Sequence, residues 1–356
     1  MLRFLTAGES HGPCLTAIVE GLPAGLPLDE AKLNQEMARR QEGFGRGGRM
    51  KIERDCAEIL SGVRFGETLG SPVSLRVVNA DWVNWETKMA AFGEPTGPAV
   101  TAPRPGHADL GGCQKYDRAD VRDILERASA RETAARVAVG ALCRQLLEAC
   151  GIAVASRVVS IGGATETAAQ EALIAGAKAA GDTLGGCFEV TASGLMPGLG
   201  SHIQWDRRLD GQIAAAIVSI PAIKGVEFGE GFRSGELPGS QVHDEIFYSE
   251  TKGYYRNTNR AGGIEGGMTN GEPIVLRAVM KPIPTLTRPL HSVDILSQQP
   301  VLANSERSDV CAVAAAACVA EAMLCIALST ALLDKFAGDS LPQLLAAIAH
   351  YRQNLR

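Results

Sequence analysis

The chain repeats itself, and that restricts what it can fold into. Gly62, Val63, Gly66, Thr68, Gly70, Pro72, Val73, Leu75, Arg76 and Val78 return at one constant spacing as Gly263, Ile264, Gly267, Thr269, Gly271, Pro273, Ile274, Leu276, Arg277 and Val279. Self-similarity of this kind points to two like halves. Each copy reads as a glycine-rich turn leading into a strand, with Pro at the strand's first position, where a missing N–H is tolerated. Arg104, Pro105 and His107 then correspond to Arg288, Pro289 and His291, and Glu126 and Arg127 to Glu306 and Arg307. Both copies close with a long Ala-rich helix, Thr133 to Cys150 and Val310 to Phe336, with Gly151 and Gly338 as C-terminal glycines.

A weaker echo, Gly21 to Leu26 against Gly194 to Leu199, precedes helix-like runs at Asp29 to Arg40 and Asp210 to Ser219. The expectation is a single domain over residues 1–356, with halves of roughly 1–151 and 187–338, a connection between Gly151 and Gly186, and a site between the halves. The halves differ in two loops. Gly62 to Arg104 spans 42 positions where Gly263 to Arg288 spans 25, and the excess falls in the Asn79 to Pro103 loop with Trp82 and Trp85. The second half has its own insertion, with His243, Tyr248, Tyr254 and Tyr255, which reads as a candidate lid over residues 234–256.

With 356 residues, 46% hydrophobic, the chain can bury a substantial core. A net charge of -5 gives no global reason to expect nucleic acid. The nine cysteines are odd in number, form no C-x-x-C pair and follow no secretory signal, which points to a reducing cytoplasm and no cysteine metal site. Val310 to Leu328 is apolar enough to suggest a membrane span, but Glu321 interrupts it and Ala and Cys dominate, so a close-packed buried helix is expected.

The chemistry-bearing residues cluster. Arg104 to Asp109, running on to Glu126, Arg127, Arg131 and Thr133, brings a histidine, cations and a hydroxyl into a turn-rich stretch ending where a helix begins, and reads as an active-site floor. Gly8, Glu9, Ser10, His11, Gly12 has the letters of a hydrolase nucleophile elbow, but strand-like residues follow where the elbow needs a helix. The alternative is a turn displaying His11 and Ser10. Arg39, Arg40, Arg46, Arg49, Lys51 and Arg54 lie in a glycine-rich tract suited to phosphate or carboxylate oxygens; RNA binding through it would be unusual in an acidic chain without further basic runs. No Walker A sequence or strand-borne G-x-G-x-x-G occurs.

Gly8 to Gly12, Arg46 to Arg54, Arg104 to Asp109, Arg127 to Thr133, Asn259 to Gly271, Lys281 to Thr285 and Arg307 to Cys311 together resemble the successive signature blocks of the chorismate synthase family, over Leu2 to about Leu333. That resemblance implies an α+β fold with an internally duplicated helical core sandwiched between two antiparallel β-sheets, assembled as a homotetramer in the cytoplasm. It implies a 1,4-elimination of phosphate from 5-enolpyruvylshikimate 3-phosphate, giving chorismate for aromatic amino acid biosynthesis. Reduced FMN would be required although no net redox change occurs, with NADP(H) as an electron source.

Carried onto this sequence, His11 would be the general acid and His107 would protonate reduced flavin, while Asp309 with Ser10 would help remove the ring hydrogen. Arg40, Arg46, Arg49 and Arg131 would bind the triply anionic substrate, Arg40 and Arg46 also occupying positions assigned to NADP in some relatives. FMN would be held by Arg127, Ala128, Ser129, Gly266, Lys281, Pro282, Ile283, Pro284, Thr285 and Arg307, with Pro221 and Ala222 as a further pair. His291 is expected to be structural. The chain ends soon after its last helix, so no appended flavin reductase is expected, and neither a nucleic-acid nor a membrane partner is.

Overall fold

The structure is a computed structural model that describes residues 2–48, 52–306 and 308–355. Its strands form two four-stranded antiparallel sheets. The first contains β1 (Arg3–Ala7), β2 (Cys14–Glu20), β3 (Ala57–Ile59) and β6 (Val73–Val78) in the order β1-β2-β6-β3. Between β3 and β6 runs a small hairpin, β4 (Val63–Arg64) and β5 (Glu67–Thr68). The second sheet contains β7 (Ala153–Ile161), β8 (Gly186–Ser193), β9 (Ile223–Phe228) and β14 (Ile274–Met280) in the order β7-β8-β14-β9. Two hairpins precede β14: β10 (Ile246–Ser249) with β11 (Gly253–Arg256), and β12 (Ile264–Glu265) with β13 (Met268–Thr269). A short pair, β15 (His291–Val293) and β16 (Pro300–Leu302), follows. Both sheets alternate with period two. Leu15, Ala17 and Val19 with Val73, Leu75 and Val77 face inward from one sheet, and Phe188, Val190 and Ala192 with Ile274, Leu276 and Ala278 from the other.

Helices fill the space those faces need covered. α1 (Glu30–Gln41) starts where the Asp29 carboxylate accepts from the N–H groups of Ala31 and Lys32. Two short helices, α2 (Asp109–Tyr116) and α3 (Arg122–Ala128), stand in the stretch that the sequence presents as turns. α4 (Thr133–Ala149) packs on β2 and β6, α8 (Val313–Phe336) on β7 and β8, and the two helices pack on each other. Their crossing explains the small residues: a Cβ at Gly140 would lie 2.3 Å from the Cβ of Ala322, so the backbones approach as closely as glycine and alanine allow. α8 is long and apolar enough to cross a membrane by composition alone, yet 94% of its apolar window is buried inside the fold, with Glu321 fully enclosed. α6 (Leu209–Val218) packs on β9 and α8. α5 (Thr167–Ala180), α7 (Gly239–Val242) and the capping-box helix α9 (Leu341–Gln353) complete the chain. The second sheet thus begins at Ala153, inside the stretch read as a connection. β7 was missed because its alternation is blurred by serines and an arginine.

Candidate active site

The turn between β1 and β2 is forced by Gly8, whose φ is +107° and whose missing Cβ would sit 2.5 Å from the Cys14 carbonyl. Asn79 holds the turn from outside, its Nδ2 donating to the carbonyls of Gly12 at 2.7 Å and Glu9 at 3.1 Å. The turn then docks on the end of α3. Ser10 N–H donates to the Glu126 carbonyl at 3.0 Å, and His11 N–H to Glu126 Oε2 at 2.8 Å. His11 Nδ1 lies 2.9 Å from Glu126 Oε1. Glu126 is buried, which pushes its carboxyl up, but the hydrogen bonds and charge of His11 together with Arg122 outweigh burial and hold it below its ordinary value. An ionised Glu126 can only accept, so Nδ1 of His11 carries the proton it shares. β2 follows the turn directly, and the hydrolase elbow is thereby excluded.

His107 is built the same way. Gly106, at φ +78°, turns the chain so that His107 Nδ1 meets Asp109 Oδ1, while Arg104 Nε donates to Asp109 Oδ2 at 2.8 Å. Burial pushes the Asp109 carboxyl up; His107 and Arg104 outweigh it and hold it far below the carboxylate range. Arg104 Nη2 also comes within 3.1 Å of His107 Nδ1, but two donors cannot share a proton, so the ionised Asp109 decides the tautomer and leaves Nε2 as the exchanging nitrogen.

The segment of the second half predicted to hold a cofactor packs against this turn. Arg104 Nη1 donates to Thr285 Oγ1 at 2.8 Å, and Lys281 Nζ donates to the Gly106 carbonyl. Lys281 N–H donates to the carbonyl of Ala222 at 2.9 Å, bringing Pro221 and Ala222 alongside. Burial, then the neighbouring charge of Lys224, lowers the Lys281 pKa. Thr183 Oγ1 donates to the Ile283 carbonyl at 2.7 Å, and Ser308 Oγ to the Thr285 carbonyl at 3.0 Å, fixing the strap from both sides.

Three of the expected substrate-binding arginines, Arg40, Arg46 and Arg131, meet carboxylates. Arg40 and Arg131 are buried and grip opposite oxygens of Asp55, each at 2.5 Å, and Arg131 Nε donates to Asn79 Oδ1 at 2.8 Å. Burial would protonate Asp55, but the two arginines outweigh it and keep it ionised. Arg46 approaches Asp309 Oδ2 at 3.3 Å, and Gly47 N–H donates to Asp309 Oδ1 at 2.6 Å. Gly45 and Gly47 serve close approach: added Cβ atoms would fall 2.8 Å from Ile174 Cγ2 and 2.8 Å from the Ser308 carbonyl oxygen. Asp309 is thus brought to Arg46, while Ser10 is brought to Glu126. Arg49 and Arg307 lie outside the described residues. Arg127 donates to the Gly8 carbonyl at 3.1 Å and to Thr6 Oγ1 at 2.7 Å, with Ala128 beside it and Ser129 Oγ accepting from Arg131 N–H at 3.3 Å.

Gly266 forms the turn of the β12–β13 hairpin with open space around its Cα. The β10–β11 hairpin, read as a lid, is tied by Arg256 to Glu265 at 2.5 Å and to the Asn270 carbonyl at 3.2 Å; none of its described hydrogen bonds reaches either histidine. A cleft of about 1450 Å³ opens beside the site, lined by Glu9, residues 87–100, Lys115, Arg122, Glu126 and Arg127.

The sequence places Asp109 and Glu126 in the active-site floor without showing that they hold the imidazoles. Asp109 had a local signal, a carboxylate two residues after His107 in one turn. The pairings of Glu126 with His11, of Asn79 with the Gly12 carbonyl and of Asp55 with Arg131 had none, since each joins distant parts of the chain.

Two histidines each bound to a buried carboxylate, set in a network of paired arginines on an α+β scaffold, define an enzyme of small-molecule chemistry. The family model for chorismate synthase matches residues 2–333. The chorismate synthase of Geobacter sulfurreducens is 55% identical over 100% of both chains, and that of Aquifex aeolicus 54% identical over 100% of this chain and 98% of its own. A crystal structure of chorismate synthase superposes with a TM-score of 0.81 at 45% identity, covering 99% of this chain and 98% of that one. The chain belongs to the chorismate synthase family, and its members are lyases.

Proposed function

We propose that this chain converts 5-enolpyruvylshikimate 3-phosphate to chorismate by 1,4-elimination, with reduced FMN as cofactor, in the pathway to aromatic amino acids. The observation that carries the mechanism is the pair of imidazoles, each locked by a buried carboxylate through Nδ1 and each at the head of its own polar network. From His107 one network runs through Asp109, Arg104 and Thr285 to Ser308, Asp309 and Arg46. From His11 the other runs through the Gly12 turn and Asn79 to Arg131, Asp55 and Arg40. Arg46 is buried with Asp309 and Arg40 among its charged neighbours, a setting of clustered guanidinium groups that suits an anion.

His11 donates a proton to the departing phosphate, and Glu126 steadies the imidazolium before that transfer. Arg40, Arg46, Arg49 and Arg131 bind substrate oxygens, with Asp55 orienting Arg40 and Arg131 and the buried Nε of Arg40 still without a partner among the described residues. Asp309 and Ser10 assist removal of the ring hydrogen, and His107, anchored on Asp109 through Nδ1, would hold the exchangeable proton at Nε2. The residues present fit that cofactor: Lys281 to Thr285, the Pro221–Ala222 pair and Gly106 meet around His107, and the Cβ-less Gly106 leaves only 3.2 Å between an added Cβ and Lys281 Nζ. Arg127, Ala128, Ser129, Gly266 and Arg307 complete its binding set. When bound, reduced FMN would supply transient electron density for breaking the carbon–oxygen bond, which is how a redox cofactor can serve a redox-neutral step. NADP(H) stands upstream as the electron source.

We further take the chain as one domain built by duplication. Arg76 pairs with Glu58 across β6 and β3 at 2.5 Å, and its repeat counterpart Arg277 pairs with Glu227 across β14 and β9 at 2.9 Å. Glu126 and its counterpart Glu306 both meet Arg122. A cytoplasmic homotetramer is proposed, supported by apolar side chains such as Leu5, Ile18 and Val78 exposed on the first sheet. The test is anaerobic incubation with substrate and reduced FMN. Growth of chorismate absorbance with stoichiometric phosphate release is expected, and no product under those conditions would refute the reading.

A further inference from the structure

Residues 79–103 include the excess length of the first half over the second, and one of their side chains lies on His11. Trp85 stacks on the imidazole with ring centroids 3.9 Å apart and planes inclined by 21°. Its Nε1–H donates to Asp81 Oδ2 at 3.2 Å, which anchors it within its own loop. The Arg122 guanidinium lies over the same indole, 4.9 Å from the ring centroid, and donates to Glu126 at 2.7 Å and to Glu306 at 3.0 Å. Four side chains therefore close a ring: His11 to Glu126, Glu126 to Arg122, Arg122 to Trp85, and Trp85 back to His11.

Each link removes a different freedom. The carboxylate of Glu126 anchors His11 at Nδ1 but leaves the ring able to tilt about that anchor. Stacking on an indole plane opposes the tilt. Arg122 couples the two restraints, because any shift of Glu126 pulls on the cation seated over Trp85. With Glu306 as its second partner, Arg122 also ties the clamp to the other half of the chain.

We propose that Trp85 and Arg122 are positioning residues for His11, and that the 79–103 loop exists to hold this imidazole in one plane. The proposal rests on the reading of His11 as the proton donor. Because Trp85 acts through His11 and touches no reacting atom, its loss falls on turnover and not on substrate affinity, and only while His11 is present.

The experiment compares Trp85→Leu, Trp85→Phe, His11→Ala and the double variant Trp85→Leu/His11→Ala. Trp85→Leu is expected to lower kcat roughly 10- to 100-fold with KM little changed, as misalignment of a reacting group does. Trp85→Phe, which keeps a stacking face, restores most of it, and the double variant is no worse than His11→Ala alone. Normal kcat in Trp85→Leu, or a full additive loss in the double variant, overturns the proposal. Near-normal turnover in His11→Ala instead overturns the acid role. The clamp is then judged by fluorescence in protein whose Trp82 and Trp205 are replaced by Phe. There the Trp85 emission must shift on His11→Ala and on Arg122→Met, and an unmoved spectrum sinks the clamp whatever the activity. The same spectra decide the matter should Trp85→Leu fail to fold.

Discussion

Arg-Pro-x-His occurs at Arg104 to His107 and again at Arg288 to His291, and the two copies have parted company. In the first, a buried Arg104 and a half-buried His107 close on the buried Asp109. In the second, Arg288 and His291 stand exposed, and the position matching Asp109 is Val293. The second copy serves instead as backbone scaffolding. Ser292 Oγ donates to the Pro103 carbonyl at 2.6 Å, Asn304 N–H to Ala102 at 3.1 Å, and Ile295 N–H to Thr101 at 2.9 Å. One copy builds a carboxylate–imidazole pair and the other braces the loop leading into it, so likeness of sequence between halves is no guide to likeness of structure.

The sharpest way to break that contrast is His107→Ala, expected to lower turnover roughly 100- to 10,000-fold, measured as anaerobic chorismate formation. His291→Ala should stay near wild type; equal losses would erase the distinction.

Asp109→Asn comes next. Its amide no longer dictates the His107 tautomer, and a loss on the order of 100-fold is expected, smaller than removal of the imidazole. The same change should reshape acid stability. Asp109 has a depressed folded-state pKa, so its contribution is complete above the ordinary carboxylate value of about 4. It is lost as pH falls below that value toward the lower folded-state one. Urea midpoints measured down the acid limb should therefore fall less steeply in Asp109→Asn, and an unchanged slope would deny the pair its energetic role.

Gly140→Val tests what both halves share, the α4–α8 crossing. With 2.3 Å between an added Cβ and Ala322, overpacking of about 1–3 kcal/mol is expected in urea denaturation. The smallest effect belongs to Val293→Asp, which returns a carboxylate two residues after His291. On an exposed strand the new pair is screened, and stability should move by less than about 1 kcal/mol, with turnover unchanged.

Much of this molecule was legible in the order of its residues. Period-two runs and the repeated Gly-Pro turns gave β6 and β14, Asp29 announced α1, and Gly151 and Gly338 marked where α4 and α8 stop, because these depend on neighbours within a turn or two. The signature blocks sufficed for the family. β7, α2 and α3 escaped, their local patterns being weak beside the tertiary surfaces that hold them. Tertiary structure alone decided which carboxylate each buried cation and imidazole meets, since Asp55 reaches Arg131 across 76 positions and Glu126 reaches His11 across 115. A charge announces itself in the sequence, but its partner is chosen by folding, and with the dielectric falling on burial it is the partner that fixes what the charge can do.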